Sequence, residues 1–530
     1  MGLGAALFAT ALVTPALATT ASAGLLSTSP YIVATPGTVG SLLAQSDVLS
    51  VGGQVVQTLP AADGVEANLN SLEVSALSAL PGVVVTPDVA VAVQGLPTGS
   101  THPPSDVFLK QTGASGTWSQ GDTGSGVNVA VLDTGIDPLP DFVGRLTGGV
   151  DLSGEGNPFH DSYGHGTFDA GLIAGNGASS NGKYQGEAPG AGLVAVKVAG
   201  ASGTTDLATV IAGVGWTINN RAALNIGVLN LSLGYEPLES SAIDPLDTAV
   251  ETAWQSGIVV VVSSGNAGPF NGTVLSPGDD PLVMTVGALD DGGQGNPAND
   301  TMTKYSSVGP TNPDGWMKPD LVTSGRSVVS LAAPGSTIYN NYPGARIGSG
   351  NFVGSGTSFS TAITSGAVAL LLSAHPGYAP NTVKGVLLAS TLPGPVGNPV
   401  VDGHGDLDIA NALGLAPVTL SQQPSLVAVP MGGLVGLLST WSASSWNPAV
   451  WSSMGWNPTA GTAWDGTAWD GTAWDGTSFN GTAWDGTAWD GTAWDGTVWD
   501  GTAWDGTAWD GTAWDGTAWD GTAWDGSAWN

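Results

Sequence analysis

The chain has 530 residues and a formal net charge of −33, from 10 Lys plus Arg against 43 Asp plus Glu. That excess opposes a nucleic-acid partner, because such binding rests on Lys and Arg neutralising phosphates. Cysteine is absent, which excludes disulfides, thiolate metal sites and cysteine nucleophiles together, and with only five His a poly-His metal centre is not expected. Charged residues make up 10% of the chain, against roughly 25% in an average protein, and hydrophobic residues make up 42%. This is the composition of a chain with a sizeable core rather than of a disordered acidic one, and its length allows more than one compact unit.

Residues 1–23, MGLGAALFATALVTPALATTASA, form an apolar run closing on Ala21-Ser22-Ala23, the small-x-small pattern of signal cleavage, and predict a secreted chain. The front departs from the usual signal in carrying no basic residue; the first in the chain is Lys110. No later apolar run reaches the ~20 residues that span a bilayer, and the best candidate, Leu426 to Leu438, contains Pro430.

Residues 24–105 alternate short apolar runs with turns. Tyr31 to Val33 and Gly82 to Val85 read as strands and Ser71 to Leu80 has helical spacing, which predicts a small α+β unit. Residues 101–125 are polar, Gly/Ser/Thr-rich and linker-like, and the next unit is placed at 106–415. There the pattern changes to apolar runs alternating with helical segments: VNVAVLD (127–133), LVAVKV (193–198), IGVLNLSL (226–233) and IVVVVSS (258–264). Continuous apolar strands mean burial on both faces, so the expectation is an α/β domain built on a parallel sheet with helices on both faces.

Four segments of this unit carry chemistry. In VAVLDTGID (129–137) a buried strand ends at Asp133, and sites in α/β sheets form at such carboxyl ends. Asp133 there either orients an imidazole or caps the next element. In HGTFDAGLIAGNG (165–177), His165 opens a run of small residues that let a helix pack closely; it is either a structural histidine or a base, and Asp161 is an alternative partner to Asp133. In GSGTSFSTAITSGAVALLLSAHP (354–376) a Gly-rich turn leads into an apolar helix, with Ser358 at the junction. Free N–H groups and the positive dipole end favour a developing anion there, so Ser358 reads as a nucleophile or as an N-cap. In IVVVVSSGNAG (258–268), Asn266 follows another buried strand, where its amide is either a neutral oxyanion donor or part of a loop.

Taken together, VAVLDTGID, HGTFDAGLIAG, SSGNAG and GTSFSTAITSG, in that order, resemble the motifs of the subtilisin-like serine endopeptidases, the subtilases. LNLSLG (229–234), KPDL (318–321) and GHGDLDIANAL (403–413) add to the likeness, which spans roughly 106–412. The resemblance implies Ser358 as nucleophile, His165 as general base and acid, Asp133 as its orienting carboxylate, and Asn266 with the Ser358 N–H as oxyanion donors. It implies Ser232-Leu233-Gly234 and Ser263-Ser264-Gly265 as walls of the main specificity pocket, along which an extended protein or peptide substrate adds as a strand. Ala362 stands where the family usually has Pro, and Phe359 and Ser360 where Met and Ala are common. The chemistry needs no cofactor. Family members often bind structural calcium; Asp141 in PLPDF resembles one ligand position, but its loop is shortened and no metal site is assigned. The resemblance also makes 24–105 a pro-region that assists folding and blocks the site until cut, the other reading being a separate binding domain.

Residues 416–461 are a Ser/Pro/Trp-rich linker, and over 462–530 the unit Thr-Ala-Trp-Asp-Gly repeats every five residues, with TSFNG (477–481) and TVWDG (497–501) as variants. A period of five gives neither a helix stripe nor a one-faced strand, and Asp-Gly is a turn signal. The array reads as an acidic, flexible extension or as a solenoid with one turn per unit, its Trp side chains suited to cell-wall, glycan or partner contact. Two rival functions follow. One is a surface adhesion protein that uses the repeats and carries an inactive peptidase domain. The other, an α/β-hydrolase esterase, lacks its G-x-S-x-G elbow, and here the serine comes last rather than first.

Overall fold

The computed structural model describes residues 27–37, 39–93, 95, 107–420, 426–431 and 434–439. The expected signal segment, residues 101–106 and the repeats over 462–530 lie outside the described residues.

The first unit has four antiparallel strands, β1 (Ser29–Ala34), β2 (Gln54–Leu59), β3 (Gly64–Leu69) and β4 (Val84–Pro87), in the order β2-β3-β1-β4. Val33, Val65, Ala67 and Leu69 pack with Ala44, Val48 and Leu77 from the helices Gly40–Val51 and Ser71–Ser78, giving the unit a small core of its own. The second helix starts at Asn70, whose Oδ1 accepts from Leu72 N and Glu73 N while Glu73 Oε2 accepts from Asn70 N, a reciprocal capping box. The α+β expectation for this stretch agrees with these elements.

A short strand β5 (Ala90–Val93) follows, and the second unit is built on β6 (Asn128–Asp133), β7 (Leu146–Asp151), β8 (Gly192–Lys197), β9 (Thr204–Asp206), β10 (Ile226–Leu231), β11 (Leu233–Gly234), β12 (Val259–Ser263), β13 (Met284–Asp290), β14 (Thr301–Met302) and β15 (Leu321–Ser324). The main sheet runs β14-β13-β12-β10-β6-β8-β7, with β15 also on β13. All its pairings are parallel except the antiparallel edge strand β14. Its inner strands, such as β6, β8 and β12, are buried along nearly their whole length because helices cover both faces, while the edge strands β7 and β14 are not. The helices Leu207–Asn220 and Pro245–Gln255 pack together, while His165–Ala174 packs on Thr357–Ala374, which crosses β10, β12 and β13.

The Thr357–Ala374 helix is long and apolar enough to cross a membrane, which the sequence expectation overlooked, but 89% of it is buried inside the protein, so it is a core helix. Residues 107–125 are not a linker. They form the short helices Phe108–Gln111 and Ala114–Thr117, with Phe108, Leu109 and Ala114 buried. Thr112 O accepts from Ile409 N at 2.9 Å, which ties this polar stretch to the closing helix Ile409–Gly414. Within the expected 416–461 linker, Leu426–Met431 and Leu434–Ser439 pair as antiparallel strands.

Candidate active site

Asp133 is the last residue of β6, and His165 is the first residue of a helix that begins in the connection between β7 and β8. Both side chains are fully buried. His165 Nδ1 lies 2.9 Å from Asp133 Oδ2 and 3.0 Å from Oδ1, and Oδ1 also accepts from Thr134 N at 2.7 Å. Gly166 permits the approach: a Cβ there would meet Gly135 O at 2.3 Å and Asp133 Cβ at 3.2 Å.

Asp161, the alternative partner, is committed elsewhere. Its Oδ1 accepts from Thr134 Oγ1 at 2.7 Å and from Gly164 N at 2.6 Å, and its Oδ2 accepts from Thr167 N at 2.7 Å. It thereby satisfies an orphan N–H in the first turn of the His165 helix and fixes where that helix starts.

Ser358 is the second residue of its helix, after Thr357, and the N-cap position belongs to Gly356, so the N-cap reading of Ser358 does not hold. Its Oγ donates to Ser232 O at 3.1 Å, while His165 Nε2 is buried with no hydrogen-bond partner among the described residues. The His165 ring lies 5.6 Å from that of Phe359, the residue next to Ser358. Asn266 lies just beyond β12, where its Oδ1 accepts from Thr357 N at 3.0 Å and from Thr357 Oγ1 at 3.1 Å. With its oxygen so held, the amide's N–H donors are left for an acceptor beside the Ser358 helix terminus.

The expected pocket walls fall into two groups. Ser232 lies between β10 and β11, Leu233 and Gly234 form β11, and β5 adds to that edge antiparallel, with Leu233 opposite Val93 and Gly234 opposite Ala92. β9 lies on the other side of β5, with Thr205 opposite Val91. Ser263 ends β12, and Ser264 N donates to Val286 O at 3.0 Å, which holds the turn at Gly265 (φ +107°). A Cβ at Gly95 would be 3.1 Å from His165 Nε2, so the chain after β5 passes directly against the imidazole. A shallow cleft adjoins this point, lined by His165, Phe168, Tyr339, Phe352 and Phe359 among others.

Burial by itself would lower the His165 pKa, but the charges of Asp133 and then Asp169, with the Asp133 hydrogen bond and Asp161, outweigh it and push the imidazole up to about 9. Sequence reading missed Asp169, which shares this site: one ligand atom each from Asp133, His165 and Asp169 lie within 4.8 Å of one another. The signal was a carboxylate within HGTFDAGLIA, a helix in which every residue is buried. His165 Nδ1 in this group is already engaged by Asp133, as in an acid–base pair rather than a metal centre. The calcium suggestion at Asp141 does not fit the surroundings. Its Oδ2 accepts from Ser179 N, and the Arg145 guanidinium donates to the carbonyls of Asp141, Ala174 and Ala191, so a cation already sits among those oxygens.

The profile of the subtilase family matches residues 124–414. The chain is 42% identical over 296 residues to serine protease AprX of Bacillus subtilis (strain 168), covering 55% of this chain and 67% of that protein. It is 34% identical over 368 residues to subtilisin NAT of Bacillus subtilis subsp. natto, covering 67% of this chain and 84% of that one. The crystal structure of fervidolysin from Fervidobacterium pennivorans, a keratinolytic enzyme related to subtilisin, shares the fold at a TM-score of 0.59 and 22% identity, over 77% of this chain and 64% of that one. With the family profile spanning more than half of it, the chain belongs to the subtilase family of serine endopeptidases.

Proposed function

We propose that this endopeptidase is secreted and cleaves protein or peptide substrates through an acyl-enzyme. Ser358 is the nucleophile, His165 the base that takes its proton and returns it to the leaving amine, and Asp133 the carboxylate that holds the tautomer and supports the imidazolium. The observation that carries this reading is the wholly buried Asp133–His165 hydrogen bond, with Nε2 unpartnered among the described residues next to the helix start that presents Ser358. The Ser358–His165 hydrogen bond is completed on substrate binding, as catalytic contacts commonly tighten only then. Ser232-Leu233-Gly234 and Ser263-Ser264-Gly265 hold the substrate backbone and the side chain before the scissile bond.

Asn266 and the Ser358 N–H hold the oxyanion of the tetrahedral intermediate. The amide bonds the oxyanion more strongly than the ground-state carbonyl, so Asn266→Leu is expected to lower kcat by roughly 10²–10³ with little change in KM, a magnitude taken from a subtilisin. Steady-state kinetics on a soluble peptide check this; a pure KM effect would make Asn266 a substrate contact instead.

Residues 24–105 act as a pro-region that blocks the cleft. Supporting this, β5 fills the slot between β11 and β9 as an extended substrate would, and Gly95 abuts the imidazole. The repeats over 462–530 hold no His, Lys, Arg or Cys and serve attachment to cell wall or glycan rather than bond breaking.

The test is kcat/KM for a small soluble peptide, measured after removal of the pro-region, from about pH 5 to 10. A base must be neutral to accept a proton. The raised imidazole therefore displaces the rising limb to higher pH than the ordinary value of 6.5. A flat profile would remove His165 as the base, and absence of turnover would favour the adhesion reading.

A further inference from the structure

We propose that Asp169 is a positioning residue of this active site: a second carboxylate, beyond Asp133, that serves His165 and joins it through Asn230 and Ser232 to the start of the Ser358 helix. The proposal rests on the reading of His165 as the base.

Asp169 lies four residues after His165 on the same helix, so the two side chains share a face. It is fully buried, on an otherwise tightly packed helix where an unpaired carboxylate is costly. Its hydrogen-bond partners lead toward the reacting serine. Oδ2 accepts from Asn230 Nδ2 at 3.4 Å, and the same Nδ2 donates to Ser232 Oγ at 3.0 Å. Ser232 Oγ in turn donates to Ser358 O at 3.3 Å, while Ser365 Oγ donates to Asn230 Oδ1 at 2.8 Å and fixes which end of that amide faces Asp169. Among the described residues Oδ1 of Asp169 has no hydrogen-bond partner, so the donors around it do not satisfy the carboxylate.

The charged groups around it are few. Asp133 faces it from the end of β6, His165 from its own helix, and Asp161 stands in the loop before that helix. Lys197, at the end of β8, is engaged by Glu155 at 2.9 Å and by the carbonyls of Thr134 and His160. Asp141 is engaged by Ser179. The packed helix Thr357–Ala374 and the strand Val328–Leu331 carry no charged residue. The imidazole is therefore the one cation-forming group that faces Asp169 among the described residues.

The physical consequence is a coupled pair. Burial raises the Asp169 pKa, the charge of His165 opposes that rise, and Asp169 reciprocally favours the imidazolium. When Asp169 is ionised, two carboxylates stabilise the protonated base, and a higher pH is needed to free Nε2 for the Ser358 proton. During the reaction the same field stabilises the imidazolium that forms. Asp169 makes no contact with a reacting atom; it acts through His165.

The test compares wild type, Asp169→Asn and Asp169→Val, all expressed as the full chain and activated identically, by the pH dependence of kcat/KM normalised to each enzyme's own plateau. Removing the charge takes away stabilisation of the imidazolium, so both variants are expected to move the rising limb to lower pH, by about 1 unit for a carboxylate at this range. A variant too weak to assay is read by ¹⁵N NMR titration of the His165 ring in the Ser358→Ala background, where the same downward shift is expected. Limbs that superimpose, or that move to higher pH, overturn the role of Asp169 while leaving His165 as the base. A wild-type profile with no rising limb overturns the base assignment and this proposal together.

Discussion

Ser358→Ala is expected to lower kcat by roughly 10⁶ while leaving the fold intact, a magnitude carried over from the same deletion in a subtilisin. The side chain is fully buried, and its Oγ donates to the carbonyl of Ser232 at 3.1 Å, a hydrogen bond that an alanine forfeits. Loss of one such bond costs about 1 kcal/mol of stability, far less than the effect on the reaction. The residual rate would come from the oxyanion donors and the bound orientation of the substrate. Hydrolysis of a soluble peptide by the purified variant checks this, with circular dichroism confirming the fold.

Asp133→Asn is expected to cost about 10⁴ in kcat through the wrong tautomer rather than through unfolding. Thr134 N donates to Asp133 Oδ1 at 2.7 Å, and that donor keeps an oxygen at the same position in the amide. The new NH₂ group then replaces Oδ2, 2.9 Å from His165 Nδ1. It donates to Nδ1, drives the ring proton to Nε2, and leaves no lone pair there for the Ser358 hydroxyl. A loss of less than tenfold, with Ser358 still the labelled residue, would mean that another group holds the tautomer.

The parallel sheet was legible because VNVAVLD, LVAVKV and IVVVVSS are apolar on both faces, which only a doubly covered strand tolerates. The resemblance of the four motifs, in their order, to those of the subtilases pointed to Asp133, His165, Asn266 and Ser358. Without that resemblance the choice between Asp133 and Asp161 was not legible, because it depends on how the end of β6 meets the helix start, a contact between elements. Residues 107–125 misled for a similar reason: their Gly/Ser/Thr content reports local preference, while Phe108 and Leu109 are buried in the core and Thr112 O accepts from Ile409 N of the distant closing segment. Asp169 was hidden by its neighbours, since small residues at helical spacing explained the helix without it. The pairing of β5 with β11 joins residues far apart in sequence, and two short stretches of Ala, Val, Leu and Gly carry no mark of each other.

The most direct measurement of the central claim is labelling of the activated enzyme with a fluorophosphonate, which reacts only with a serine whose proton a neighbouring base can take. Peptide mapping should find one adduct, on Ser358, absent from Ser358→Ala and formed more slowly as falling pH protonates His165. An adduct on any other serine, or labelling undiminished in Ser358→Ala, would contradict the assignment of the buried Asp133–His165 pair to Ser358.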